Sequence, residues 1–190
     1  MKKAKKILVM VAALALTAAI AVGGTLAYLT SKTEVVTNTF TVGKVAITLD
    51  EAKVTEYGVK DGDTRVQANT YKLMPGHAYL KDPTIHVDAD SEDCYLFVKV
   101  VNGISAIEAA PTIAAQMDAK GWDPVEGNYY VYNQTVAGGS NIAVFDSFTL
   151  AGNADVESYK NASITIQACA VQKDGLTAEQ AWAAVPADFK

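Results

Sequence analysis

"PTIHVDADSEDCYLFVKVV", residues 83–101, carries two runs of different pattern on either side of an acidic stretch. In the first, Ile85, Val87 and Ala89 alternate with His86 and Asp88, the period-two signature of a half-buried strand. In the second, Tyr95–Val101 is apolar at every position except Lys99, which predicts a central strand covered on both faces. Between them lies Asp88-Ala-Asp90-Ser-Glu92-Asp93, the one candidate metal site, with Asp88, Asp90, Glu92 and Asp93 as ligands. It begins like a Ca²⁺-binding loop, but the sixth place is Asp93 rather than Gly and the twelfth is Lys99 rather than Glu. A solvated loop joining two strands is the alternative, and no metal is assigned.

Working outward, short β-type runs separated by turn residues dominate. Phe40 and Val42 share one parity, whereas Val45, Ile47 and Leu49 share the other, so a β-bulge is expected at Gly43-Lys44. Lys60-Asp61-Gly62-Asp63 reads as a turn or hairpin tip. Pro75-Gly76 is a type II turn signal, because Pro fixes φ at the second position and Gly accepts positive φ at the third. Residues 129–135, 142–150 and 162–171 return to β patterning, and Gly138-Gly139 reads as a hairpin turn. Two short helices are expected. One spans 111–119, with Pro111 in its first turn and Gly121 past its end. The other is opened by the capping box Thr177-Ala-Glu-Gln180 and stopped by Pro186. The pattern predicts an all-β, jelly-roll-like β-sandwich with one or two short peripheral helices.

The chain begins with a Lys-rich hexapeptide and an apolar run over residues 7–22 in which Thr17 is the one polar residue. As a helix those 16 residues would reach about 24 Å, short of the roughly 30 Å hydrocarbon core of a bilayer. Thr25-Leu26-Ala27 then supplies the small-x-small spacing of a signal-peptidase site. The expected organisation is a signal peptide over 1–27, cleaved before Tyr28, an N-terminal segment over 28–42, and a single sandwich domain over 43–190. Removing the four lysines of the signal from the 16 basic residues leaves 12 against 21 acidic ones. A mature charge of −9 argues against nucleic acid or anionic lipid as a partner.

Cys94 falls in phase with Leu96 and Val98, while Cys169 alternates opposite to Ile164 and Ile166, so the two thiols are expected on different faces. His77 and His86 are the only histidines and stand outside any HExxH helix. No nucleophile elbow, phosphate-cradling loop or dinucleotide turn is present. No catalytic residue and no cofactor are predicted, and the reading is that the protein is not an enzyme. Trp122, Tyr129, Tyr130 and Tyr132, although arranged like a sugar-stacking platform, read as cross-strand packing.

Three segments carry a family resemblance: "GGTLAYLTSK…NTFTVGKVAITLDE" at the signal junction, "YKLMPGHAYLKDPTIHVDADSEDCYLFVKV" over 71–100, and "SITIQACAVQKDGLTAEQAWAAV" over 163–185. Together they resemble the TasA/camelysin family of Gram-positive matrix proteins, whose signals are removed by a SipW-type peptidase. The resemblance implies a jelly-roll sandwich secreted to the extracellular matrix or cell surface. There it would be a structural subunit of biofilm-matrix fibres, its partners being copies of itself or related matrix subunits, with no membrane anchor left after cleavage. It also implies that the mature N-terminal segment is donated as a strand to a neighbouring subunit. Residues 28–39 suit that role, with six β-branched residues and few large anchors, and Leu29, Thr33, Val35, Val36 and Thr37 are the expected contacts. A segment of this kind gains more from main-chain hydrogen bonds to a sheet edge than from burial. A monomeric surface module binding carbohydrate or protein is the alternative, and a camelysin-like secreted protease a further one.

Overall fold

The computed structural model describes residues 43–190, and all that follows concerns them. Ten strands and two short helices build the domain. β1 (Ile47–Val54), β2 (Lys60–Val66), β4 (Thr84–Val87) and β8 (Asn141–Ala143) form one antiparallel sheet in the order β2-β1-β4-β8. β5 (Cys94–Asn102), β6 (Trp122–Glu126), β7 (Tyr129–Tyr132) and β10 (Ile164–Gln172) form a second, in the order β10-β5-β7-β6. A small ribbon pairs β3 (Ala78–Leu80) with β9 (Ser147–Thr149). The all-β sandwich read from the sequence is the fold observed.

The core follows from the two patterns at residues 83–101. Ile85 and Val87 of β4 pack with Leu96, Val98 and Val100 of β5, together with Trp122, Phe145 and Phe148. β5 is central in its sheet, and the reason it is apolar on both faces is a second, smaller core. Behind it, Phe97 packs with Ala181 and Val185, joined by Trp182 and Phe189. The first two of those come from helix α2 (Ala178–Ala184) and its C-terminal cap. Its capping box is formed as expected, the Thr177 hydroxyl accepting from the Gln180 N–H while the Gln180 side chain accepts from the Thr177 N–H. Helix α1 (Ile113–Ala119) starts two residues later than Pro111, because Thr112 takes the N-cap and accepts from the Ala115 N–H.

Other local readings hold. Gly76 has φ +74°, and the His77 N–H donates to the Met74 carbonyl at 3.2 Å, closing the Pro75-Gly76 turn. Cys94 lies in the main core and Cys169 pairs opposite Phe97 towards the second one, so the thiols face different sides and both are free. Trp122 is fully buried, its indole N–H donating to the Ala143 carbonyl, and it packs against Tyr132. Tyr129 packs on Trp182 and Phe189 instead, so the aromatics do not make one platform.

Three turns differ from expectation. No strand passes through Gly43-Lys44: β1 begins at Ile47, and the Lys44 and Ala46 carbonyls accept from the Glu92 and Asp88 N–H groups. Val45, Ile47 and Leu49 do pack on the core as one face, whereas Phe40 and Val42 lie outside the described residues. The bulge sits further along, where Ala52 and Val54 face Arg65 and Lys60. Lys60–Asp63 is therefore not the hairpin tip but the bulged part of β2, with Gly62 at φ +74°. The chain reverses at Thr55–Gly58 instead, where Gly58 has φ +72° and a Cβ would meet the Tyr79 backbone at 2.7 Å. Finally, Gly138-Gly139 does not close a hairpin, because β7 and β8 belong to different sheets. The turn crosses between sheets, and Gly138 passes so close to the 88–91 loop that a Cβ would lie 2.6 Å from the Ser91 carbonyl.

A candidate strand-accepting slot

Each sheet of an open sandwich ends in two edges, where unpaired N–H and C=O groups invite another strand. Three of the four edges here are blunted. β2 is rich in charge and bulged. β6 carries Pro124 and a register shift beside it. β8 is three residues long. β10 is the exception: "ITIQACAVQ" is nine residues with no charge and no Pro, in unbroken register with β5.

The register fixes which groups are free. The Gly103 N–H donates to the Ser163 carbonyl and the Lys173 N–H to the Asp93 carbonyl, so odd-numbered residues of β10 bond to β5. The backbone groups of Ile164, Ile166, Ala168 and Ala170 therefore point to the open side. Their side chains pack against the main core.

Opposite this edge stands the first half of β1. β2 pairs only from Glu51 onward, so among the described residues Ile47–Asp50 have β4 on one side and no strand on the other. The Ala46 carbonyl accepts from the Asp88 N–H in the β4 ladder, which leaves the backbone groups of Ile47 and Leu49 facing away from β4. Ile47–Glu51 and Ser163–Ile166 line a common hollow of about 710 Å³. A second hollow of about 290 Å³, walled by Tyr71, Ile104 and Phe148, adjoins it. Among the described residues the result is a slot with unpaired backbone on both walls and apolar side chains beneath. Its far end is flanked by the C-terminal segment, where Pro186, Asp188 and Phe189 lie beside Gln167–Cys169.

Lys81 and Asn69 border both hollows. Lys81 Nζ lies 2.5 Å from Glu51 Oε2, both side chains being nearly inaccessible to solvent. The second carboxylate oxygen accepts from Asn69 Nδ2 at 2.8 Å. A buried ion pair survives desolvation only when its remaining polar atoms are also satisfied, and here they are. The Tyr71 hydroxyl donates to the Leu80 carbonyl nearby, and burial, with Glu51 and Asp82 close by, pushes its phenol well above the usual range.

The residues singled out in the sequence are placed as follows. Thr25, Ala27 and Tyr28 at the cleavage site, and Leu29, Thr33, Val35, Val36 and Thr37 of the donor segment, lie outside the described residues. Asp88, Asp90, Glu92 and Asp93 form a turn between β4 and β5 but do not converge. Lys44 reaches Asp88 at 3.4 Å and Asp90 at 3.7 Å, while Asp93 faces Lys173 at 3.6 Å. The acidic run is the strand-joining loop. The slot itself was not foreseen, although the uncharged run at 164–172 was a visible sign of an unprotected strand.

Against known proteins, the family model described as camelysin metallo-endopeptidase matches residues 2–75. Over that stretch the chain is similar to the camelysin family, in line with the resemblance seen in the sequence. The family is one of secreted and cell-surface proteins, and the matched stretch runs through β1 and β2 to the Pro75 turn. No curated protein and no solved structure matches the chain. The family's description implies a metal, and the described residues do not fit one. His77 Nε2 is bonded to the Tyr57 carbonyl, and His86 is held on both nitrogens by Asp50 and Asn141. Among the described residues no group of three or more His, Cys, Asp or Glu side chains could hold a metal ion.

Proposed function

We propose that this protein is a secreted structural subunit that polymerises head-to-tail, each copy donating residues 28–42 to the β1–β10 slot of the next. The observation that carries the reading is that, among the described residues, the bare β10 edge faces the unpaired half of β1. A single inserted strand would bond on both sides there and join the two sheets. Residues 28–39 form a segment of roughly 40 Å when extended, longer than the nine-residue edge. Their β-branched character suits main-chain pairing more than burial. Such a contact is heterologous, so it repeats into a filament and does not close into a ring. Export with removal of residues 1–27 would release the donor segment, and the extracellular matrix is where the filaments would serve.

The test is electron microscopy of the purified mature protein beside two variants. Deleting Tyr28–Asn38 should give a folded monomer that makes no filaments. Ala168→Pro should do the same from the acceptor side, because it removes an N–H that points to the slot and not to β5. Normal filaments from both variants would overturn the reading and favour a monomeric surface module. The family description supports a secreted peptidase as a second reading, which casein cleavage by protein free of host proteases would favour.

A further inference from the structure

Three side chains at the floor of the slot are arranged for a reaction with one another. Glu51 holds a different partner on each carboxylate oxygen: Lys81 Nζ on Oε2 at 2.5 Å and Asn69 Nδ2 on Oε1 at 2.8 Å. The Asn69 amide is oriented by two further bonds. Its Oδ1 accepts from the Val54 N–H at 3.0 Å, and its Nδ2 donates also to the Ala52 carbonyl at 2.9 Å. Lys81 and Glu51 are buried, at 8% and 4% exposure. An amine, a carboxamide and a carboxylate that holds the amine on one oxygen and the amide nitrogen on the other are the parts of an amide-forming site.

We infer that Lys81 and Asn69 are joined by an intramolecular isopeptide bond formed with Glu51 as proton shuttle. Transfer of one proton from Nζ to Oε2 across their hydrogen bond gives the neutral amine that the attack requires, and a neutral acid. The amine attacks Asn69 Cγ and forms the new C–N bond. Negative charge gathers on Oδ1, where the Val54 N–H already donates. Glu51 delivers its proton to Nδ2 and takes one from the attacking nitrogen. The Cγ–Nδ2 bond breaks and ammonia leaves, with Glu51 left protonated. Charge and atoms balance, and no cofactor or oxidant is required. The bond would close the loop from the end of β2 to the start of β4, the stretch that contains the Pro75-Gly76 turn and β3.

The reaction is read by peptide mapping of the full chain, independently of any assembly. Trypsin cannot cut after an acylated lysine, so the expected product is Val66–Lys72 joined to Leu73–Lys99, lighter by one ammonia than the two together. Glu51→Gln removes the shuttle, and its digest should instead return Val66–Lys72, Leu73–Lys81 and Asp82–Lys99 as separate peptides. Separate peptides from the wild-type chain would overturn the inference. So would ammonia loss confined to an unlinked Val66–Lys72, which marks a succinimide at Asn69. A wild-type map suffices even if the variant fails to fold.

Discussion

Asp50 shows how single residues knit the outer face of the first sheet. Its Oδ1 accepts from Arg65 Nε at 2.5 Å and faces His86 Nε2 at 2.8 Å, and His86 Nδ1 in turn meets Asn141. One residue from each of β2, β1, β4 and β8 thus forms a polar row across all four strands. Burial raises the Asp50 carboxyl, but the bonds from Arg65 and His86 outweigh it and hold the group below the ordinary aspartate range. A depressed folded-state pKa contributes stability above the unfolded value of roughly 4, and that contribution is lost as pH falls through the folded one. The urea midpoint should therefore drop between pH 7 and pH 3, and Asp50→Asn should flatten part of the drop. The sequence could not reveal this row, because the four residues are brought together only by cross-strand register.

At the scale of elements, legibility tracked how local the cause was. The capping box at Thr177, the turn at Pro75-Gly76 and the two-faced strand at Tyr95–Val101 each depend on a few adjacent residues. Leu96 is fully buried in β5, so Leu96→Ala should cost about 2–5 kcal/mol in chemical denaturation, as a large-to-small core change does. Loss of the Thr177 cap through Thr177→Ala should cost less, about 0.5–2 kcal/mol. The misread elements had non-local causes. Lys60-Asp-Gly-Asp63 looks like a tip by composition, yet Gly58 made the turn because the Tyr79 backbone left no room for a side chain. β6 escaped notice because Pro124 demotes a strand pattern, although an edge tolerates Pro.

For the whole molecule, the order of the strands decides what the sequence could not. The sandwich class was legible from period-two runs and turn spacing. Among the described residues, the pairing of β10 with β5 alone and the gap left beside β1 emerge only once the topology is in place. N-terminal sequencing of the secreted protein should begin at Tyr28, and retention of residues 1–27 would leave no free donor segment.

If the proposed donation holds, blunting of three edges while the fourth stays bare among the described residues would give each molecule a single socket, and the N-terminal segment would be its single plug. A copy carrying Ala168→Pro keeps the plug and loses the socket. Mixed in small proportion with the normal protein, it should cap growing ends, shortening filaments in proportion to its fraction without lowering the amount of protein secreted. The deletion lacking Tyr28–Asn38 keeps the socket alone and should cap the opposite end. Each would be a terminator of defined polarity, and the two added together should arrest growth at both ends.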